Sequence, residues 1–177
     1  MTRDQLEHAI RAACDVADDN ELFIFGSQAI LAEYPNAPPE LRASIEIDVQ
    51  PRNRPEAVDK IDGALGELSM FHKTHGFYVQ GVSIEVAKLP EGWEERTHQV
   101  KDNHTTRGNI GYCLEAHDLA ASKLAAYRDK DRDFVRILLL EEMIDVEIFL
   151  RRINLLPVTD EIKQRLVNWI KATVKDF

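Results

Sequence analysis

Cysteine is nearly missing from this chain. Cys14 and Cys113 are the only two, they stand far apart, and neither has a CxxC partner. No disulfide framework can be built from them, so reduced thiols in a cytoplasmic protein are expected. Glycine (8) and proline (7) are also sparse, while 44% of the residues are hydrophobic and 30% charged. That balance excludes a disordered chain and fits an ordinary globular one. No apolar run approaches the roughly 18 residues of a membrane span, and no repeat or low-complexity segment stands out. The opening MTRDQLEHAIRAACDVADDN is amphipathic and carries acids, so it is expected to be neither a signal nor a transit peptide. A basic surplus is lacking as well. Against 22 Lys and Arg stand 31 Asp and Glu, a formal charge of -9. Such a chain has no global attraction for phosphate backbones, so non-specific DNA binding is excluded, although a local basic site is not.

At 177 residues the chain fits one domain, or one domain with a helical appendix. Residues 3–17 have a helical period, with Leu6, Ile10 and Ala13 on one face. LFIF (22–25) is an apolar run expected as a buried strand, and Gly26-Ser27 opens a short helix that Ser27 could cap. SIEIDVQP alternates, placing Ile45, Ile47 and Val49 on one face and Ser44, Glu46 and Asp48 on the other. Pro55 starts a helix to about Leu68. HGFYVQ and VSIEVAKL read as two strands of a hairpin around Gln80-Gly81. A long helical pattern begins near His117, and two more helices flank Pro157. The expected class is α+β: a mixed sheet with flanking helices over residues 1–115, then a helical region over 116–177, packed as one compact unit.

Three sets of charges can carry chemistry. Glu46 and Asp48 lie two apart on a strand, so their carboxylates leave one face about 7 Å apart at the backbone. They repel, and one pKa rises unless a cation sits between them. Oxygen ligands on a rigid strand suit Mg²⁺ that also holds phosphates; the alternative is a solvated strand face. Glu85, between Ile84 and Val86, can supply a third carboxylate or a general base, or only the polar side of a hairpin. On the long helix, Leu119, Leu124, Tyr127, Phe134, Val135, Ile137 and Leu138 make one stripe at 100° per residue. Lys123, Lys130 and Asp131 fall on or beside it. Inward charges are costly unless paired or used, and two cations there could grip a triphosphate with Asp131 orienting one. The alternatives are lysine stems that snorkel to the helix edge, or a bend near Asp129. His72 and His75 in HKTH lack a helical context and further ligands for a metal pair, and are expected to be loop or packing histidines.

Gly26-Ser27, then Glu46-x-Asp48, then Glu85, resembles the nucleotidyltransferase superfamily that includes polymerase β. The segments FHKTHGFYVQGV, LPEGWEER and HDLAASKLAAYRDKDRDFVRILL are similar to a poorly characterised bacterial branch related to the AbiEii and MenT toxins. The resemblance spans nearly the whole chain. It implies a Mg²⁺-dependent enzyme moving NMP from an NTP to an RNA end or a protein hydroxyl, and half of a toxin–antitoxin pair with a cognate antitoxin. Gly26 and Ser27 would then hold phosphate, Glu46 and Asp48 two Mg²⁺ ions, and Glu85 would be the third acid. Lys123, Lys130 and Asp131 would hold the nucleotide. Three departures are visible: Glu46 stands where aspartate is usual, the spacing from Gly-Ser to the carboxylates is long, and Glu85 is matched only by its place in the order of strands. A member that has lost its chemistry and serves as a partner-binding module or nucleotide sensor is the rival expectation.

Overall fold

Thr2 opens the first helix, α1 (Arg3–Ala17), with a reciprocal cap: its side chain accepts from Gln5 N, and the Gln5 side chain accepts from Thr2 N. Leu6, Ala9, Ile10, Ala13, Cys14 and Ala17 form the buried face that the 3.6-residue period predicts. The computed structural model describes all 177 residues. It has an α+β fold of five strands and seven α-helices, divided into two units. Residues 1–86 and 96–114 make the first, and residues 87–95 and 115–177 the second. No helix is long and apolar enough to cross a membrane.

The first unit is organised around β1 (Glu21–Ile24), whose Leu22, Phe23 and Ile24 are all buried. An apolar run without alternation suits a strand covered on both faces. β2 (Glu46–Pro51) pairs antiparallel with β1 on one side, and β5 (Ile110–Cys113) pairs parallel on the other. β3 (Tyr78–Gly81) runs parallel to β2 and β4 (His98–Val100) antiparallel to β5, giving the order β3-β2-β1-β5-β4. Ile47 and Val49 are buried as the alternation predicts, but Ile45 precedes the strand and is 47% exposed.

The expected hairpin does not form. β3 pairs with β2, and the chain beyond Gly81 is held by Val82 N to Val49 O (3.0 Å) and Ile84 N to Gln50 Oε1 (2.8 Å). Ile84–Val86 is therefore a short 3-10 turn rather than a second strand, and Glu85 on it is exposed. The helix from Pro55 is a 3-10 turn followed by α2 (Val58–Leu65). α3 (Met70–His75) carries the HKTH histidines, which pack as expected: the His75 and His8 rings are 4.6 Å apart, with Phe71 and Phe77 beside them.

The second unit holds α4 (Ala116–Ala126), α5 (Asp129–Leu140), α6 (Val146–Asn154) and α7 (Asp160–Lys175). Glu115, Asp145 and Thr159 cap α4, α6 and α7 through their side chains. Leu119, Leu124, Val135, Leu138, Phe149, Ile153, Leu166 and Ile170 form its core. At its polar end, Asp118 is fully buried with Arg152 Nε 3.0 Å away, and His117 bridges Glu115 to Asp145 N. Residues 87–95 join through Glu91 N to Leu155 O at 2.9 Å. The single long helix predicted from His117 is broken. Tyr127 takes a left-handed φ of 58°, and its N–H closes on Lys123 O.

Two glycines should respond oppositely to alanine. A Cβ at Gly81 would lie 1.9 Å from the Val58 carbonyl oxygen, whereas one at Gly63, inside α2, would meet nothing within 4 Å. Gly81→Ala is expected to destabilise by about 1–3 kcal/mol and Gly63→Ala to stabilise by about 1 kcal/mol, both read by urea unfolding. A third expectation concerns pH. Burial, then Arg11 and His75, lower the His8 pKa from its usual 6.5. The unfolded chain then binds the proton more readily than the native one, so the His8 contribution is complete above pH 6.5 and lost as pH falls through the native pKa. The melting temperature should drop between pH 7.5 and 5 by less in His8→Phe than in wild type.

Candidate active site

The strand end that begins LFIFGSQAIL is shaped by an acid. A Cβ on Gly26 would sit 2.3 Å from Asp48 Oδ2 and 3.0 Å from its Cγ, so glycine is what lets this carboxylate come against the turn. The backbone itself is unstrained, with φ -84°. Phe25 N donates to Asp48 O at 3.3 Å, tying the end of β1 to β2 at the same level. Ser27 is the first residue of a 3-10 helix, Ser27–Ala32, capped by Gly26 and not by the Ser27 side chain. The next residue, Gln28, is fully buried and donates to Ser44 O at 3.0 Å, while its Oε1 has no hydrogen-bond partner. An orphan buried acceptor costs about 1–3 kcal/mol.

Glu46 and Asp48 are half-buried on one side of β2, two residues apart. Parallel pairing sets Tyr78 beside Glu46 and Gln80 beside Asp48. The Tyr78 hydroxyl donates to Glu46 Oε2 at 2.9 Å. Burial, and then that bond, push the Tyr78 phenol well above its ordinary range, so it remains a donor. Tyr78 and Gln80 escaped the sequence reading because parallel neighbours lie far apart in the chain. Glu85 is not on a strand next to these acids, since the segment bearing it bends into the 3-10 turn. The residue that β3 places beside Asp48 is a carboxamide.

No three His, Cys, Asp or Glu side chains converge to hold a metal ion. Two carboxylates on one strand face nevertheless fit Mg²⁺, which takes one or two protein carboxylates and completes its octahedron with waters and phosphate oxygens. A neutral Gln80 carbonyl is a third oxygen within the same register. Both thiols are free and buried, and burial pushes each up to about 12, so neither is a nucleophile or a metal ligand at neutral pH. A polar cavity of about 520 Å³ beside Cys14, Asp19, Asn53 and Arg54 does not include the predicted residues. Its Asp19 carboxyl, which burial alone would raise, is held below the usual range by hydrogen bonds from Asn53, Glu21 and Arg54.

The charges of the second unit divide unequally. Asp131 is fully buried, with Arg128 Nε 2.6 Å and Lys123 Nζ 3.6 Å from its oxygens. It also accepts from Arg128 N, capping α5. Lys123, with 14% of its side chain exposed, lies over the Phe134 ring at 4.8 Å. Lys130 does not point inward; the break at Tyr127 turns it to solvent. Arg128, which the sequence reading did not name, is the second cation beside Asp131. Asp131 stands three residues after the N-cap Arg128, where a capping carboxylate belongs.

The Asp131 clamp has a stability consequence. Asp131→Ala leaves Lys123 without its buried counter-ion and is expected to cost about 3 kcal/mol, measured as the midpoint of urea unfolding. Lys130→Ala, an exposed change, should stay within about 0.5 kcal/mol of wild type.

No curated protein and no solved structure matches this chain. One family model does, described as Nucleotidyltransferase of unknown function (DUF6036), over residues 4–174. A match of that extent leaves almost nothing of the chain outside it, and the protein belongs to this nucleotidyltransferase family.

Proposed function

We propose that the protein transfers an NMP from an NTP to a hydroxyl, at an RNA end or on a protein, with Mg²⁺ bound through Glu46 and Asp48. What supports this most is the Gly26–Asp48 approach: a carboxylate pressed against a glycine turn, with a second acid two residues away on the same strand. Mg²⁺ there would neutralise phosphate charge and draw off the developing charge of the leaving pyrophosphate. The chain's own residues do the rest. Asp48 is fixed by β2 between Gly26 and Gln80. Tyr78 holds Glu46 in one rotamer, which offsets the freedom of its extra methylene. Gly26 and Ser27 present backbone and hydroxyl donors to phosphate oxygens. Lys123 and Asp131 form an ion pair within the helical unit, and this reading gives Lys123, Lys130 and Asp131 no contact with the nucleotide. Glu85, exposed on its turn, has no ligand role in this reading. The reaction joins the acceptor oxygen to the α-phosphorus as the α–β bridging bond breaks and pyrophosphate leaves. Membership of a toxin–antitoxin pair rests on the resemblance to that branch alone.

The test is transfer of label from α-labelled NTPs in cell extract with Mg²⁺. Wild type should label an acceptor, and Asp48→Asn should lose about 10²–10³-fold. Gly26→Ala, which displaces the carboxylate, should lose at least about tenfold with little change in melting temperature. Equal labelling by wild type and Asp48→Asn sinks the catalytic reading.

A further inference from the structure

Tyr127 is an odd residue with which to end a helix. A left-handed C-cap is usually glycine or asparagine, because a bulky side chain pays for φ near +58°. Its ring is engaged by two guanidinium groups, Arg132 at 4.6 Å and Arg165 at 4.5 Å from the centroid. Trp169, half-buried, carries a third, Arg136, at 5.8 Å. Between the two aromatics opens a cavity of about 630 Å³, lined by Tyr127, Trp169, Arg165, Gln164, Asn168 and Glu161. Its lining is mostly one face of α7, at spacings i, i+3, i+4 and i+7. The Gln164 amide donates to Asn168 Oδ1 at 2.9 Å, a bond that uses one of the Gln164 amide hydrogens and leaves its second hydrogen and its oxygen outside that pair.

We infer that this cavity of the helical unit is a stacking site for an unpaired adenine base of single-stranded RNA. Aromatic faces and arginine planes stack on bases, and a splayed RNA base offers its edges to hydrogen bonds. A carboxamide with one free donor and one free acceptor matches the donor–acceptor edge of adenine. Arg165, exposed at the rim, reaches the backbone phosphate. Charge distribution agrees. Residues 115–177 hold eleven of the 22 Lys and Arg but only twelve of the 31 Asp and Glu, so the acid surplus lies elsewhere. Glu161 is the one carboxylate in the lining, and it favours an amino-bearing base over a carbonyl-bearing one. Binding is independent of transfer chemistry; that the bound strand is the acceptor rests on the function proposed above.

The experiment is fluorescence anisotropy of labelled single-stranded A12 RNA with the whole protein, without NTP or Mg²⁺. U12, an A-form duplex and free AMP serve as competitors. A12 should bind with U12 and duplex at least about tenfold weaker. Arg165→Gln and Trp169→Phe, both mild to the fold, should each weaken A12 by about three- to tenfold with melting temperature unchanged, and Gln164→Ala should abolish the preference for A12 over U12. Asp48→Asn should bind A12 as wild type does. No binding, equal binding of duplex, full displacement by AMP at its own concentration equivalent, or indifference to all three cavity variants overturns the inference. So does capture of a protein on the same residues with no RNA bound. Labelling without RNA binding removes this site alone, and RNA binding without labelling removes the catalytic reading alone.

Discussion

β1 is four residues long, and the sheet hangs on it. It is the central strand of the five, with β2 antiparallel on one side and β5 parallel on the other. Its ends are tied as well, by Arg52 N to Glu21 O and by Leu114 N to Ile24 O. So central and so short a strand can stop in only one place, and that place decides what stands next to it. Gly26 follows, and Asp48 comes from the neighbouring strand to within a distance that only a missing Cβ permits. The functional geometry is thus a by-product of sheet pairing, held by backbone hydrogen bonds rather than by a flexible loop. Sites built in this way keep their positions because moving them costs ladder bonds.

Like charges drawn together need something to hold them. Glu46 and Asp48 leave β2 on the same side, and Tyr78 answers for one of them by donating to Glu46. Lys123 and Arg128 answer for Asp131 in the helical unit, with a net positive charge around one buried carboxylate. Both arrangements are local solutions to desolvated acid. They differ in what they leave over. Around Asp131 the acid is enclosed by its cations, as a structural clamp is. On β2 two acids share one strand face, and a divalent cation between them would relieve their repulsion.

What was legible in the sequence followed from period. The apolar face of α1, the buried β1, the carboxylates of β2 and the helices around Pro157 depend on neighbours three, four or two residues apart, and each appears where its pattern stood. What was not legible depended on pairing across distance or on one backbone angle. VSIEVAKL alternates like a strand, yet Tyr78–Gly81 pairs with β2 and Ile84 N donates to Gln50 Oε1, so no hairpin forms. The single long helix is broken at Tyr127 by one left-handed residue; Lys130 faces solvent, while Asp131, Phe134, Val135 and Leu138 are buried as the wheel placed them. A tyrosine gives no local warning of that conformation, as a glycine would have.

The charge of -9 poses a problem for any nucleotide or RNA ligand, and its resolution is a matter of range. At physiological salt, exposed charges farther apart than about 8 Å are largely screened. The acid surplus of the chain as a whole therefore sets encounter rates more than it sets affinity. Affinity comes from what lies within reach of the ligand, and there the two proposed sites use opposite means. On β2 the acids are near and the triphosphate is acidic, so binding without a divalent cation brings like charges together. Nucleotide affinity and metal affinity must then rise together. At the cavity of α7 the near groups are guanidinium, indole and carboxamide, which need no metal and lose less to salt because stacking is not a charge interaction. One acidic chain can hold two polyanionic partners on these terms, one through metal and one through stacking, without a basic surface.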